Sequence, residues 1–450
     1  MKILLVSPNF GIDTIRPPLG LSYIASIIER NHEVRILDLA LYPENLEKLS
    51  YVLQEFNPDV VGITCYTASY SASMGIAKHV KGYNKTIITI VGGAHPSIRP
   101  DDCLNENMDF VMRGEGEETF PELLEHLEGN RELSSIKGMS YKRDGKNIHN
   151  PPRPYITNLD KYPFPARHLL EMDKYSEPII TILTSRGCPF NCVYCCRTVM
   201  GKKYTAQPPE RVLEEIKMVL GSSTYRHIHF TEELFTFDKE RVKRICELLI
   251  ENNFGITWSC NSRVTSVDES LLTLMKKAGC IRITFGVESG DDNILKSLKR
   301  GISVDQIRRT FKDCKTVGIE AAGYFMIGVP EDTKETVKRT IDFAMELDPF
   351  NCLFSTATPL PGTDLWDIMG MDKRPTDSYK WDDFKIQNTC PLFDMKYLTK
   401  DEIFELYQLA NLKWRQHIFY RNLSRPTYLL KKIVTSPGTS LKQFMGLIKK

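Results

Sequence analysis

The chain has 450 residues, of which 42% are hydrophobic and 26% are charged, and its formal net charge is +2. This length is sufficient for two or three domains, and the near-neutral charge gives no reason to expect nucleic acid as a partner. Twelve cysteines without regular spacing, no signal peptide and no apolar run near the ~20 residues of a membrane span together predict a cytoplasmic protein.

Residues 1–150 alternate short apolar runs with helical patterns, which predicts an α/β domain. The helical patterns are Leu19–Arg30, Asn45–Phe56, Ser71–Lys81 and Glu117–Leu127. The apolar runs predict five buried strands at Lys2–Ser7, Val34–Asp38, Val60–Thr64, Thr86–Val91 and Phe110–Met112. This order predicts a doubly wound, mostly parallel, Rossmann-like sheet.

A sheet of this kind binds ligands beyond the carboxyl ends of its strands. The loops expected there are Pro8–Gly20, Cys65–Ser73 and Gly92–Pro100. No G-x-G-x-x-G fingerprint follows the first strand, so a nicotinamide cofactor is not expected. The pattern alone is also compatible with a sheet that only packs on a neighbouring domain.

A linker and a second α/β domain follow. Asp144-Gly145 predicts a hairpin within Gly138–Asn150, and the proline-rich stretch after it assigns residues 151–177 to a linker. Six strand–helix units within 178–365 predict a partial (β/α)6 barrel of the TIM type, open on one side. The expected strands are Pro178–Thr184, Arg226–Phe230, Ile256–Cys260, Ile281–Val287, Ala321–Ile327 and Asn351–Thr356.

The first barrel strand leads into a loop, Thr184–Thr198, that holds Cys188, Cys192 and Cys195. Three thiolates in one short loop can bind three corners of a 4Fe–4S cube and leave one iron open. A structural zinc site would need a second pair of ligands, and a disulfide would need an oxidising compartment. We therefore predict an iron–sulfur loop in which Cys196, adjacent to Cys195, is not a ligand.

Polar residues follow the other barrel strands, at the edge where the chemistry of such barrels is located. Carboxylates and hydroxyls there suit an amino group and a ribose, and an arginine suits a carboxylate. Any one of them could equally be solvated or cap the next helix. The candidates are Glu232, Glu233, Arg263, Glu288, Ser289 and Gly328.

The last region, residues 366–450, is expected to be small and mostly helical. From Asn411 to Lys450 it contains nine Lys or Arg residues and no Asp or Glu, interleaved with aromatic and aliphatic residues. A basic amphipathic tail of this kind suits the anionic inner face of a membrane. Nucleic acid, or a tail folded onto the acidic body, would explain the same charge.

The cysteine motif resembles that of the radical S-adenosylmethionine enzymes, in which an aromatic residue such as Tyr194 precedes the last cysteine. Phe285-Gly-Val-Glu-Ser-Gly290 also resembles the fourth-strand motif of that family, whereas Glu232-Glu233 stands where relatives often carry aspartates. The resemblance implies a 4Fe–4S cluster on the three cysteines and a 5′-deoxyadenosyl radical made from S-adenosylmethionine. It also implies S-adenosylmethionine contacts at Tyr194, Glu232, Glu233, Arg263, Glu288, Ser289 and Gly328.

The first domain resembles the cobalamin-binding domain that precedes the barrel in many of these enzymes. The resemblance lies in Pro17-Pro-Leu-Gly20, Gly92-Gly-Ala-His-Pro96 and Arg113-Gly-Glu-Gly-Glu117. No D-x-H-x-x-G motif is present, so we expect cobalamin to bind without a histidine on cobalt and His95 to lie in a turn. The implied contacts are Pro18, Gly20, Thr64, Tyr66, Thr67, Gly92, Gly93, His95, Gly114 and Glu115.

These resemblances imply a radical enzyme that methylates an unactivated carbon of an apolar, lipid-like or other small-molecule substrate. A flavodoxin or ferredoxin is the implied electron donor. A radical oxidative cyclisation, as in the anaerobic magnesium-protoporphyrin cyclase, is the alternative reaction. A protein of another class, an iron–sulfur electron carrier or sensor, would need the cysteines but not the polar residues at the barrel edge.

Overall fold

The computed structural model describes residues 1–9, 16–175, 177–375, 378–385 and 387–423. Its first sheet has seven strands in the order β2-β1-β3-β4-β5-β6-β7. Neighbours from β2 to β5 pair in parallel, and β5, β6 and β7 pair antiparallel. The strands are β1 Lys2–Ser7, β2 Glu33–Asp38, β3 Val60–Thr64, β4 Ile88–Gly92, β5 Phe110–Met112, β6 Met139–Arg143 and β7 Lys146–His149.

Helices cover both faces of this sheet, which confirms the doubly wound prediction. Leu53 and Phe56 of α2 pack on one face together with Ile76 of α3. Leu21 of α1 and Phe120 of α6 pack on the other. The helices are α1 Leu19–Ile28, α2 Asn45–Phe56, α3 Tyr70–Tyr83, α4 Ala94–Ile98, α5 Pro100–Cys103 and α6 Gly116–Leu127.

The predicted hairpin is present as β6 and β7, but it is part of the sheet rather than separate from it. Met112 pairs with Met139, and the buried side chain of Tyr141 stands opposite Phe110. The hairpin covers the edge of β5, whose backbone groups would otherwise be unpaired. The sheet therefore has seven strands where five were expected.

The second sheet confirms the open barrel. Six parallel strands lie in the order β15-β14-β13-β12-β11-β8, and β9 and β10 form a separate antiparallel pair. The strands are β8 Ile179–Ile182, β9 Ser185–Arg186, β10 Thr205–Ala206, β11 His227–Phe230, β12 Thr257–Ser262, β13 Cys280–Glu288, β14 Glu320–Ile327 and β15 Asn351–Thr356. The helices are α7 Pro209–Ser222, α8 Lys239–Asn252, α9 Glu269–Lys277, α10 Asp292–Ser297, α11 Val304–Val317, α12 Lys334–Leu347 and α13 Asp364–Ile368.

The outer face of the barrel strands supplies its core. Ile228, Phe230 and Trp258 belong to one buried cluster with Ile216 of α7 and Ile245 of α8. The opposite face of the same strands is the concave interior of the open barrel. Along each strand the side chains therefore alternate between the helical layer and the concave face.

The C-terminal region contributes α14, Lys400–Leu423, which packs beside α12 and β15. Trp381 packs against Trp366 and Phe384, so the aromatic side chains of this region form a local core. No helix in the described ranges is long and apolar enough to cross a membrane. The membrane-contact prediction depends mainly on 424–450, which lie outside the described residues.

Candidate active site between the two sheets

A cavity of about 500 Å³ lies between the carboxyl edges of the two sheets. Ser7, Asp38 and Thr64, at the ends of β1, β2 and β3, line it from the first domain. The ends of β8 and β11 and the cysteine loop line it from the barrel. The two edges that bind ligands in folds of these types therefore share one space.

The cysteine loop is held in a tight conformation directly after β9. Gly187 has φ +80°, and a Cβ there would lie 2.1 Å from the carbonyl oxygen of Lys203, so only glycine fits. The amide of Cys195 donates to the carbonyl of Cys192 at 3.1 Å. Cys188 and Cys195 line the cavity, and Cys192 is buried behind them.

The three thiols are all available as ligands. All are free cysteines, and burial raises the pKa of Cys188 and raises that of Cys195 to about 12. No three metal-binding side chains converge on one point within the described residues. A cube takes each thiolate on a separate iron, so its ligands need not converge as those of zinc must. Cys196 is near them, and its thiol donates to Thr198 Oγ1 at 3.4 Å.

Behind the loop, Tyr194, Glu288 and Arg300 form a buried polar network. The β13 bulge places Glu288 at φ +68° and turns its carboxylate toward Tyr194, whose hydroxyl donates to it at 2.7 Å. Arg300 lies 4.0 Å from Glu288 and donates to Cys192 Sγ at 3.2 Å. Burial raises the pKa of both Tyr194 and Glu288. Two predicted S-adenosylmethionine contacts are therefore coupled to a predicted cluster ligand.

Glu232 and Glu233 lie in the cavity wall but differ in environment. Glu232 is buried, and both the hydroxyl and the amide of Thr184 donate to its carboxylate. Glu233 lies deep in the molecule, yet its side chain remains open to the cavity. Burial raises the pKa of both carboxyl groups. Only Glu233 therefore has a carboxylate available to a ligand without rearrangement.

The other predicted S-adenosylmethionine contacts are occupied within the fold. Arg263 is buried, with its guanidinium 3.9 Å from the centre of the Phe190 ring, and burial and the charge of Arg300 lower its pKa. The hydroxyl of Ser289 lies 3.0 Å from Thr340 Oγ1. A Cβ on Gly328 would lie 2.6 Å from Ile403 of α14. None of the three lines the cavity.

The cobalamin candidates divide into two groups. Pro18, Gly20, Thr64 and Tyr66 line the cavity, and the Tyr66 side chain is 49% exposed although it lies deep in the molecule. Such an accessible aromatic surface inside a cavity suits a large, flat ligand. The remaining candidates do not line the cavity: Thr67, Gly92, Gly93, His95, Gly114 and Glu115.

The expected turn at His95 is instead the short helix α4, and the imidazole is fully buried. Its ring packs 4.9 Å from those of Tyr70 and Trp381, and its Nδ1 lies 3.3 Å from Thr67 Oγ1. Gly93 has φ +113°, and a Cβ at this position would lie 2.7 Å from the carbonyl oxygen of Cys65, so the close approach of the two backbones requires glycine. This segment therefore has a packing role in the first domain.

Arg186 is a site residue that sequence reasoning missed. It immediately precedes Gly187 in the cysteine loop, and its guanidinium donates to Glu115 at 2.9 Å and to Glu117 at 2.5 Å. All three side chains are at least nine-tenths buried. These two ion pairs fix the cysteine loop to the first domain. Glu115 is therefore an interdomain contact. The only feature of the sequence that could have identified Arg186 is its position beside the cysteine motif.

Comparison with known proteins agrees with this geometry. Residues 182–344 match the model of the radical SAM superfamily, and residues 12–124 match that of the B12 binding domain. An uncharacterised methyltransferase of Pyrococcus horikoshii is 36% identical to this chain, and the alignment covers 100% of the chain and 98% of the relative. The chain belongs to the cobalamin-binding radical S-adenosylmethionine enzymes.

Two further likenesses extend over most of the enzyme. The anaerobic magnesium-protoporphyrin IX monomethyl ester cyclase of Rubrivivax gelatinosus is 26% identical over 96% of this chain and 81% of its own length. The fold matches the radical S-adenosylmethionine methyltransferase TsrM of Kitasatospora setae, with a TM-score of 0.70 and 19% identity. That match covers 82% of this chain and 75% of the other.

This radical S-adenosylmethionine enzyme therefore uses a 4Fe–4S cluster, S-adenosylmethionine and cobalamin. Together the cofactors supply a 5′-deoxyadenosyl radical and a methyl carrier. Within the chain, Cys188, Cys192 and Cys195 are the residues whose chemistry suits the cluster. Thr64 and Tyr66, two of the residues expected to contact cobalamin, line the cavity from the first domain.

Proposed function

We propose that the enzyme methylates an inert carbon of its substrate, with S-adenosylmethionine as the methyl source and cobalamin as the carrier. The observation that carries this proposal is the shared cavity. Cys188 and Glu233 line one wall, and Thr64 and Tyr66 line the other. A substrate in this space would be within reach of both cofactors.

The protein's own contribution is to position the reactants and to exclude water, since a radical reacts with whatever lies beside it. Arg186 fixes the cysteine loop to the first domain through Glu115 and Glu117, which keeps the two walls in register. The Glu233 carboxylate is open to the cavity and is placed to accept hydrogen bonds from the amino group of S-adenosylmethionine.

The test uses S-adenosylmethionine with a trideuterated methyl group, a chemical reductant and the polar and lipid fractions of a cell extract. Methyl transfer predicts a product heavier by the labelled methyl group, with both 5′-deoxyadenosine and S-adenosylhomocysteine formed. An unlabelled product that has lost hydrogen, formed with 5′-deoxyadenosine, would assign the enzyme to radical cyclisation. The likeness to the cyclase makes that the second candidate.

We also propose two partners. A one-electron donor such as flavodoxin or ferredoxin would reduce the cluster, because each cleavage of S-adenosylmethionine to the radical consumes one electron from it. The basic tail would bring the enzyme to an anionic membrane surface. Deleting residues 424–450 should weaken sedimentation with anionic vesicles while the iron content stays unchanged; equal sedimentation of the truncated enzyme would exclude the membrane role.

A further inference from the structure

The concave face of the barrel carries a row of polar side chains. Thr181, His229, Ser259, Arg282 and Glu320 are paired in register across β8, β11, β12, β13 and β14. Their neighbours along each strand pack into the helical layer, so these five face the opposite side. This row makes part of the barrel interior hydrophilic, in contrast to the apolar substrate expected from the sequence.

Two histidines of this face converge on one hydroxyl. His227 Nε2 and His229 Nδ1 each lie 3.0 Å from Ser259 Oγ, and His227 Nδ1 lies 2.8 Å from Thr257 Oγ1. Both nitrogens of His227 are thus occupied. Among the described residues, His229 Nε2 has no protein partner, and it can present a proton when Ser259 donates to Nδ1.

Other polar groups on this face are also available to a ligand. Tyr324 lies on β14, between two other strands, yet its side chain is 39% exposed, so open space faces it. Its hydroxyl and that of Thr284 form no hydrogen bond with another described residue. Hydrogen-bonding groups held on a rigid sheet around an open space are what a polar ligand requires.

The charges around this space favour a negative ligand. The pKa of His229 is lowered to about 3, mainly by burial and also by the charges of Arg16, His227 and Arg282. Arg282 is balanced by Glu320 at 2.7 Å, whereas Arg16 is 3.8 Å from Glu177 and lines the cavity. The positive charges that disfavour protonation of His229 would stabilise an anion bound at the same place.

The polar face is continuous with the cavity, because Thr181, which is paired with His229, also lines the cavity. Burial raises the pKa of the Tyr324 hydroxyl. Arg16 and Glu233 are close enough to act on it as well: the charge of Arg16 lowers this pKa and that of Glu233 raises it. A ligand held by His229 would therefore extend toward the cysteine loop. Its far end would lie where the reaction takes place.

We propose that the substrate carries an oxyanion, a carboxylate or a phosphate, which binds the concave face through His229, Tyr324 and Arg16. The inference rests on the proposed function, since it assigns a substrate class to the same site. The oxyanion would fix one end of the substrate on the sheet. The carbon to be methylated would then project into the cavity between the cofactors.

The test is calorimetric titration of the full-length holoenzyme with S-adenosylmethionine bound, so that the open iron is already occupied. Three probes of similar size are compared: ethylphosphonate, propionate and neutral 1-propanol. We expect an anion to bind and 1-propanol not to bind, and the better of the two anions identifies the substrate's group. His229→Ala and Arg16→Met should each weaken anion binding roughly tenfold, because each removes a charge-assisted contact.

Two variants make the result specific. His229→Gln keeps a donor near the position of Nε2 and should restore most of the affinity that His229→Ala loses. His168→Ala, at an exposed histidine outside the barrel, should bind the anions as the wild type does. Iron content and the cobalamin spectrum establish that each variant is folded.

Three outcomes would overturn the proposal: no binding of either anion, preferential binding of 1-propanol, or anion binding that is equal in wild type, His229→Ala and Arg16→Met. The titration involves no turnover, so it does not depend on the labelling experiment. Anion binding without label transfer would contradict methylation alone. Label transfer without anion binding would contradict the oxyanion site alone.

Discussion

Arg300 donates a hydrogen bond from its guanidinium to the Sγ of Cys192 across 3.2 Å, although 108 residues separate the two in the sequence. The arginine is buried, and its other terminal nitrogen donates to the Gly286 carbonyl at 2.5 Å. A cation fixed beside a cluster thiolate stabilises the added electron of the reduced cluster. Hydrogen bonds to sulfur and local charge are among the factors that set cluster potentials.

Replacing Arg300 by glutamine should therefore make the reduction potential of the cluster more negative while the cluster remains bound. The amide keeps a hydrogen-bond donor but loses the charge, and the three thiolates are unchanged. A redox titration followed by electron paramagnetic resonance measures the shift. Arg244→Gln, at a surface arginine of α8, is the control and should have the wild-type potential. An unchanged potential in Arg300→Gln would contradict the role given to this contact.

The cysteines themselves give a second prediction. Alanine at Cys188, Cys192 or Cys195 should each remove most of the iron and the 5′-deoxyadenosine activity, because a cube held by two thiolates is poorly retained. Cys196→Ala is the matched control, since its thiol lies in the same loop and donates to Thr198. Iron analysis of the anaerobically reconstituted proteins decides the matter. A full complement of iron in Cys192→Ala would show that the ligand set is wrong.

The sequence predicted the regular elements well because their patterns are local. β1 and β3 begin and end where the apolar runs predicted, and α2 spans the residues of its predicted helical pattern. The cysteine loop could be found for the same reason, since its spacing is contained in eight residues. Short-range patterns of this kind are what sequence reading detects reliably.

Contacts between distant segments could not be predicted in this way. Nothing near Arg300 in the sequence indicates that it contacts Cys192, and nothing near His229 indicates a concave face. Ligand contacts also could not be predicted from glycine positions. Gly93 and Gly328 are expected ligand contacts, but each makes room for the chain's own atoms, at Cys65 and Ile403 respectively. A glycine indicates a close approach without identifying what approaches.

The burial of His95 gives a third prediction. Because its ring is enclosed by Tyr70 and Trp381, it is not available to cobalt. His95→Ala should destabilise the protein by about 1 to 3 kcal/mol through lost packing and leave the cob(II)alamin resonance spectrum unchanged. Nitrogen hyperfine coupling that is present in the wild type and absent in His95→Ala would contradict this. The surface variant His168→Ala should change neither property.

The linker after the first sheet is fixed to α6 by a group of charges around Glu118. Arg153 donates to its carboxylate at 2.9 Å, Tyr162 donates at 2.9 Å, and Lys161 forms an ion pair with it. The hydrogen bond from Lys161 is the main cause that lowers the pKa of Glu118 to about 2. The charged form of this carboxylate is therefore stabilised in the folded protein.

The fourth prediction follows from that shift. The pKa of an unfolded glutamate is about 4.3, so the folded protein binds the Glu118 proton less readily than the unfolded chain does. The contribution of this group to stability is therefore complete above about pH 4.3 and is lost as the pH falls toward 2. Glu118→Gln should lower the urea midpoint at pH 7, and the difference from wild type should shrink as the pH falls below 4.3. Glu132→Gln, at an exposed carboxylate without an ion pair among the described residues, should track the wild type at every pH. A difference between Glu118→Gln and wild type that stayed constant across this range would show that the charge of Glu118 does not stabilise the linker.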